Sequence, residues 1–164
     1  MEDILEERAF DEESNDWRKS GLREYLNNYF YETLTDYDAE EKDFLMIETD
    51  LTADDGMKDY GTSKDLISLM TADLYRSNRH LLKPLGSWWW LATPYSYLAS
   101  SSYYVRSVYS SGSLSYFSIQ VVIFASTVAA ASPNLLKDCA GLSLSFSSNG
   151  AISSVTARFK KPKI

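Results

Sequence analysis

The side chains that could carry out catalysis or bind a metal ion are few and far apart in this sequence. His80 is the only histidine and Cys139 the only cysteine. Nucleophilic catalysis needs a serine or cysteine beside a positioned base, and a zinc site needs several histidine or cysteine ligands at short spacing. We therefore expect no enzyme activity and no cofactor, with His80 exposed in a loop and Cys139 packed as a small hydrophobic residue. A pocket with a carboxylate pair, or His80 beside a buried serine, would instead indicate an enzyme.

One acidic turn faintly resembles a calcium-binding loop. It contains Asp50, Asp54, Asp55 and Gly56. An EF-hand loop has ligands at fixed positions and closes with a bidentate glutamate, and the sequence here has neither that spacing nor that glutamate. We interpret the segment as a solvated turn.

Non-covalent binding is the chemistry that the stretch from Gly86 to Ser126 indicates. Serine and tyrosine dominate it, and Arg106 is its only charged residue. Tyrosine offers large, rigid contact area and serine adaptable hydrogen bonds, as in antibody contact loops. Serine-rich strands also occur in ordinary β domains, but those keep charges on the solvent face, and an exposed tyrosine patch of this size implies interaction. We predict a ligand-binding surface made of Tyr95, Tyr97, Tyr103, Tyr104, Ser107, Tyr109, Ser111, Ser113, Ser115, Tyr116, Phe117 and Ser118.

Other residues of the same stretch should support that surface from below. We expect four aliphatic residues to point inward: Val105, Val108, Leu114 and Ile119. The run Trp88–Trp90 could stack on a carbohydrate. However, alternate residues of a strand face opposite sides, so one or two of these rings should lie in the core.

Length and charge exclude several classes of partner. The 164 residues are enough for one domain with one core. The net charge of −7, without a basic stripe, opposes sequence-independent binding of nucleic acid. The acidic start, MEDILEERAF, is unlike a secretory signal, and the apolar run at Ile119–Ala131 is too short to span a membrane. We expect a protein made in a cytoplasm and not inserted in a membrane; its final location stays open.

The first half predicts helices and short strands. Apolar residues recur at helical spacing from Trp17 to Phe30, and Ser20 can cap a helix over Gly21–Glu32. Before it, residues 1–15 should form a strand or short helix and then a polar turn. After it we expect a helix at Ala39–Phe44, strands at Leu45–Leu51 and Lys64–Met70, a turn at Ala53–Gly56, a short helix at Thr71–Tyr75 and a polar connector at Arg76–Leu85.

The second half predicts short antiparallel strands, because short apolar segments alternate with serine and glycine turns. We place these strands at Trp88–Ala92, Tyr103–Val108, Leu114–Ile119 and Val121–Ala125. The pair Asn149–Gly150 predicts a hairpin that joins Leu142–Phe146 to Ile152–Phe159. Helices followed by strands make an α+β domain.

Several spaced motifs resemble those of a large family of bacterial and phage domains of uncharacterised function. Residues 10–30, FDEESNDWRKSGLREYLNNYF, resemble its W-x-x-S-x-L-R-x-W-L-N-x-x-F signature. Further on, the family's T-x-D-x-x-F-L-L-S, W-W-L-R-S-P and G-V-R-P-A motifs resemble Thr62–Leu69, Trp89–Pro94 and Thr127–Ala131. Ala92 and Ala129 stand where the family usually has arginines, so any role of those arginines is absent here. The resemblance covers roughly residues 10–135.

Domains of this kind resemble the C-type lectin fold as used by variable proteins of diversity-generating retroelements. In those systems a reverse transcriptase mutates adenines of a template, which turns asparagine codons into many others but never into those for Lys, Glu, Gln, Met or Trp. Between Tyr95 and Ser126 the chain has none of these residues except Gln120. The resemblance implies a C-type-lectin-like fold, with two N-terminal helices packed on a short-stranded antiparallel sheet and a hypervariable ligand-binding surface.

These observations predict one domain over residues 1–164. It would consist of a helical scaffold half (1–85), a Ser/Tyr-rich variable region (86–135) and a C-terminal hairpin extension (136–164). The expected ligand is a protein or glycan on another cell or virion. An alternative is a structural module of a phage virion or bacterial surface, in which the same surface joins copies of the chain into a homo-oligomer.

Overall fold

A computed structural model, which describes residues 7–32, 44–82, 86–125, 127–131, 142–146 and 152–157, shows an α+β architecture. Two helical segments accompany short strands, and nearly all strand pairs in the described part of the chain are antiparallel. The fold class predicted from the sequence is confirmed at this level.

The first helix begins where the apolar spacing predicts and is helical to Glu32, the last described residue of this segment. A 3₁₀ turn at Trp17–Lys19 precedes it, and the Ser20 hydroxyl caps it by accepting the Arg23 N–H. Helix α1 (Gly21–Tyr25) continues as a π-helical turn at Leu26–Phe30, and residues 31–32 are helical. The second helix expected in this half lies outside the described residues, except that Phe44 begins a strand and not a helix turn.

The later elements of the first half are short and mostly agree with the prediction. Helix α2 (Ala72–Asn78) is capped by Thr71 and followed by a 3₁₀ turn at Arg79–Leu81, so the polar connector begins as a helix. His80 is exposed in that turn. The strands are β1 (Glu7–Arg8), β2 (Phe44–Leu45), β3 (Ile47–Asp50), β4 (Thr62–Asp65), β5 (Ile67–Leu69), β6 (Trp89–Pro94), β7 (Tyr104–Val108), β8 (Leu114–Ser118), β9 (Ile123–Ala125), β10 (Thr127–Ala131), β11 (Leu142–Phe146) and β12 (Ile152–Ala157).

A five-stranded sheet in the order β1–β9–β6–β7–β8 carries the Ser/Tyr-rich region. Strands β6, β7 and β8 form the predicted antiparallel meander, but β9 returns beside β6 and runs parallel to it. The expectation of antiparallel strands throughout is therefore wrong at β9. The other sheets are β2–β10–β5, β3–β4 and the antiparallel pair β11–β12. The strands of the predicted hairpin therefore pair, and its turn at Asn149–Gly150 lies outside the described residues.

Side chains alternate along β6 and β7, so the sheet buries a different cluster on each face. Trp90 and Val105 belong to the larger cluster, which includes Phe10 and Trp17. Trp89 and Val108 belong to the smaller cluster beneath α2, where the Tyr75 ring meets the Trp89 ring edge-to-face at 5.4 Å. The tryptophan prediction is confirmed, since two of the three consecutive tryptophans are core residues. Of the four aliphatic residues expected to point inward, Val105, Val108 and Ile119 are buried, and Leu114 is half-buried against the smaller cluster.

Residues of the N-terminal signature hold α1 on the edge of β4 and β5. The buried Asp65 carboxylate accepts the Trp17 indole N–H at 3.0 Å and pairs with the Arg23 guanidinium at 2.6 Å. The Asn27 amide oxygen accepts the backbone N–H groups of Leu66 and Ile67. The polar residues of this motif therefore stabilise the packing of the helix, because each pairs with a hydrogen-bonding group that the helix or the strand does not satisfy by itself.

Candidate ligand-binding surface

Cross-strand register decides which of the predicted contact residues can act together. Tyr104 lies opposite Ser118 and Arg106 opposite Tyr116, whereas Val105 lies opposite Phe117. Directly opposed residues of an antiparallel pair share a face, and neighbours along a strand do not. One face of the β7–β8 hairpin therefore presents Tyr104, Arg106 and Tyr116, and the other presents Phe117.

The tyrosine cluster, which we define as Tyr95, Tyr104 and Tyr116, forms on the first of these faces. Its ring centroids are separated by 4.6 Å (Tyr95–Tyr116), 5.6 Å (Tyr104–Tyr116) and 6.4 Å (Tyr95–Tyr104), in tilted or edge-to-face geometry. Tyr104 is 38% and Tyr116 47% exposed, while Tyr95 is half-buried. Each ring is held by its neighbours but keeps an open side, as a rigid contact residue requires.

The loop between β6 and β7 adds further exposed side chains, and its Tyr97 ring packs edge-to-face on Tyr60 of the larger core cluster at 5.4 Å. Tyr97, Leu98 and Tyr103 are all about half exposed. A buried residue of the N-terminal segment anchors the loop: the Asn15 side-chain amide donates to the carbonyls of Ser96 and Tyr104, both at 2.9 Å. The loop is therefore fixed at its two ends, and its side chains project from a defined frame.

Arg106 is the one charged residue on this face of the hairpin, and its surroundings are unusual. Its side chain is only 13% exposed, and its Nε is buried without an acceptor. The nearest carboxylate oxygen is Asp54 Oδ1 at 3.6 Å, and that oxygen already accepts a 2.7 Å hydrogen bond from Arg76. Arg76 is bound on its other side by Asp73, and the hydrogen bond to Asp54, with that to Asp73, raises the pKa of Arg76.

The opposite face of the hairpin carries a second aromatic group, the tryptophan cluster of Trp88, Tyr109 and Phe117. The Trp88 and Phe117 rings stack at 4.6 Å, and the Tyr109 ring meets both edge-to-face. Trp88 is 41% exposed and borders an open groove of about 330 Å³, whose other lining residues are Glu7, Gly86, Ser87, Ser110, Val122 and Ile123. Trp88, expected as a support, is thus the most exposed of the three tryptophans in the run.

The serines of the predicted surface occupy different depths. Ser111 and Ser113 are exposed in the β7–β8 turn, and Ser115 and Ser118 are half-buried. Ser107 is completely buried, and its hydroxyl has no hydrogen-bond partner. The expectation that Ser107 lies on the surface is wrong, because it sits on β7, between β6 and β8 and opposite Trp90. There the ring centroids of Trp90 on β6 and Phe117 on β8 lie 6.4 Å apart.

The predicted contact residues therefore form two groups and not one continuous surface. Tyr95, Tyr104 and Tyr116 are brought together on one face, and Tyr97 and Tyr103 lie exposed in the β6–β7 loop. Tyr109 and Phe117 lie with Trp88 on the other face. Composition alone cannot separate these groups, but the alternation of residues along β7 and β8 could have done so.

The described residues hold no group of three or more histidine, cysteine, aspartate or glutamate side chains that could bind a metal ion. Among the same residues, no helix has both the length and the apolar character needed to cross a membrane. The acidic turn forms as predicted: the Gly56 N–H donates to the Ala53 carbonyl, and Asp54 and Asp55 lie in the turn.

The motif resemblance has no counterpart in the comparisons with known proteins. The chain gives no significant match to protein-family models, to curated proteins or to solved structures.

Proposed function

We propose that the chain is a ligand-binding protein whose contact surface is the tyrosine cluster with the loop residues Tyr97, Leu98 and Tyr103. The observation that supports this proposal is the packing of three partly exposed tyrosines against one another beside a strand whose residues Val105, Ser107 and Val108 are buried. Rigid tyrosines lose little entropy on binding, and such residues supply most of the affinity in protein interfaces.

The finer parts of the proposal come from the motif resemblance. In this proposal the fold is C-type-lectin-like, the surface is diversified by a retroelement, and the ligand is a protein or glycan on another cell or virion. No enzyme activity is part of it. The DNA next to the coding sequence tests the retroelement directly: a near-copy of the segment for Gly86–Ala131, differing at adenines and close to a reverse transcriptase gene, would support it. The absence of such a copy would leave only a binding protein of fixed sequence.

Binding is tested on printed arrays of glycans and of extracellular protein domains, followed by surface plasmon resonance on the hits. The triple variant Y95S/Y104S/Y116S removes the tyrosine cluster. A matched control, Y29S/M46S/V122S, removes three side chains that are more exposed but lie on other elements. We expect at least about tenfold weaker binding for the cluster variant and unchanged binding for the control. Equal binding by both variants, or an absence of hits, would contradict the proposal.

Self-association through the same surface is a second candidate, favoured by the position of β8 at the edge of its sheet. Strand β8, LSYFS, carries no charge and no proline, the usual features that prevent edge strands from pairing. Light scattering after size-exclusion chromatography decides between the candidates. A multimer that dissociates in Y103S/Y116S supports assembly, whereas a monomer that still binds an array ligand supports recognition of a different molecule.

A further inference from the structure

We infer that Arg106 is the specificity-determining residue of the tyrosine cluster and that it binds an acidic side chain of a protein ligand. This inference rests on the proposed function, since it takes the tyrosine cluster as the contact surface. It adds the chemical class of the group that the surface recognises, a carboxylate.

Arg106 has hydrogen-bond donors that no described residue accepts. A guanidinium has five N–H donors, and buried donors are nearly always paired in native proteins. Arg106 donates no hydrogen bond to the described residues, and its Nε is buried and 3.6 Å from the nearest carboxylate oxygen. That distance is an ion pair but is too long for a hydrogen bond of normal strength. The buried Nε of Arg106 is therefore unsatisfied, while its terminal nitrogens, which donate to no described residue, reach solvent and are open to a ligand.

The carboxylate next to Arg106 is shared with a second arginine. Asp54 is the only carboxylate that pairs with Arg106 among the described residues, and its closer partner is Arg76 at 2.7 Å. Asp73, the other partner of Arg76, is 88% exposed, so solvent screens most of its charge. Two arginines thus share one partly buried carboxylate. A second carboxylate would complete the arrangement, and a guanidinium suits it because the two groups form paired, charge-assisted hydrogen bonds.

The strand register places Arg106 beside two of the exposed tyrosines. Arg106 lies directly opposite Tyr116 and two residues along the same strand from Tyr104. It is also the only charge between Gly86 and Ser126. Arginine and tyrosine together are the residue types that most often dominate binding energy. The surrounding surface is open and spread over two strands and a loop, which fits a protein surface with a projecting side chain better than a buried small ligand.

The net charge of −7 works against an acidic partner at long range. Recognition through Arg106 is therefore a short-range contact that selects the partner after encounter. It does not accelerate association.

The probe for this inference is N-acetyl-L-glutamate amide, with N-acetyl-L-glutamine amide as its neutral counterpart. Titration into the ¹⁵N-labelled full chain, followed by NMR at the Arg106 Nε–Hε signal and the β7–β8 amides, reports binding site and affinity together. We expect the carboxylate to shift these signals with millimolar affinity and the neutral amide to leave them unchanged. Equal shifts by both compounds, or no shift by the carboxylate at tens of millimolar, would overturn the inference.

Three variants separate recognition from a merely structural role. R106Q should weaken carboxylate binding at least about tenfold. R8Q, which removes an arginine that lies on β1 at the opposite edge of the sheet and stacks on Tyr25, should not change it. D54N removes the competing carboxylate and should strengthen binding about two- to fivefold. A structural Arg106 predicts the reverse for D54N: lower stability and no gain in affinity.

Two further outcomes distinguish the inference from the function on which it rests. If Y95S/Y104S/Y116S abolishes binding of an array ligand and R106Q leaves it intact, the proposed function stands and the role of Arg106 is wrong. If D-glucuronate binds through Arg106 more tightly than the glutamate probe, with D-glucose inactive, the protein side chain is the wrong source of the carboxylate and an acidic glycan replaces it.

Discussion

Asn15 shows how one residue links the N-terminal segment to the surface that lies far away in sequence. Its amide nitrogen donates to two carbonyls at the ends of the β6–β7 loop, and its amide oxygen accepts the Tyr60 hydroxyl at 2.8 Å. It is completely buried, so water cannot replace these partners. Asn15 is therefore a positioning residue for the exposed tyrosines.

Replacing Asn15 by alanine should lower the free energy of unfolding by about 2–4 kcal/mol. The change leaves the Ser96 carbonyl and the Tyr60 hydroxyl without the partner that Asn15 supplies, and each such group costs about 1–3 kcal/mol with partial relaxation. The Tyr104 carbonyl loses one of two donors and keeps the Tyr95 N–H. Urea denaturation of N15A measures the loss. Asn28 is the matched control, because it is exposed on the helix and N28A should stay within about 0.5 kcal/mol of the parent. A similar small effect at both positions would show that Asn15 does not hold the loop.

Two buried tyrosines predict a loss of stability at alkaline pH. Burial raises the pKa of Tyr60 and the pKa of Tyr75 above their ordinary value, because the charged phenolate is poorly solvated there. The folded chain then keeps these protons at a pH where the unfolded chain releases them. Stability is therefore complete below the unfolded value of about 10 and falls as pH rises from there toward the folded values.

The measurement is urea denaturation between neutral pH and the highest pH at which the fold survives. The variants Y60F and Y75F lose one hydrogen bond each, to Asn15 and to the Gly112 carbonyl, and should be slightly less stable at neutral pH. Their stability should fall less steeply above pH of about 10, most clearly in the double variant. An unchanged slope in the double variant would assign the alkaline loss to other groups.

At the scale of single elements, local pattern predicts helices and strands well and their partners poorly. Helix α1 follows from apolar spacing and from the Ser20 cap, both of which are contained in neighbouring residues. The strand β9 was also recognised, but its parallel pairing with β6 depends on a crossover that no local pattern encodes. Residue type alone does not separate the two faces of the hairpin, because tyrosine and serine occur on both; only the alternation of residues along each strand assigns them to a face.

Ser107 is a polar residue that the structure places in the core, so its residue type alone does not predict its position. The strand needs a small side chain here because bulky rings from β6 and β8 close over it, and serine fits by size. Its hydroxyl contributes nothing that the structure uses, since it has no partner. An unsatisfied buried hydroxyl is unfavourable relative to a methyl group of similar volume.

S107A should therefore leave the fold intact and raise the free energy of unfolding by about 1–2 kcal/mol. The larger variant S107L should do the opposite, because overpacking forces the neighbouring rings to move at a cost of about 1–3 kcal/mol. Thermal and urea denaturation measure the change in the free energy of unfolding, which should be positive for S107A and negative for S107L. A loss of stability in S107A would mean that the hydroxyl has a partner in solution and that the position is polar for a reason.

At the scale of the whole molecule, the exposed tyrosines and the core lie in different layers. The tyrosine cluster lies over the sheet, while Trp90, Val105 and Ile119 lie within the larger core cluster. Arg106, which lies opposite Tyr116, is tied to the turn that carries Asp54 and, through Asp54, to α2. A surface whose sequence varies must not include core residues, because a change in the size of a core side chain lowers the stability of the fold.

Tyr116 and Ile119, three positions apart, should differ in how much their side chains contribute to the free energy of unfolding. Tyr116 is 47% exposed and contacts other exposed rings, so Y116S should cost less than about 1 kcal/mol. Ile119 is completely buried, so I119A should cost about 2–5 kcal/mol through the cavity it leaves. Extending the comparison to several residue types at Tyr95, Tyr104 and Tyr116 should give a narrow range of unfolding free energies. If these variants unfold as readily as I119A, the rings belong to the core, and a hypervariable surface at this place is not compatible with the fold.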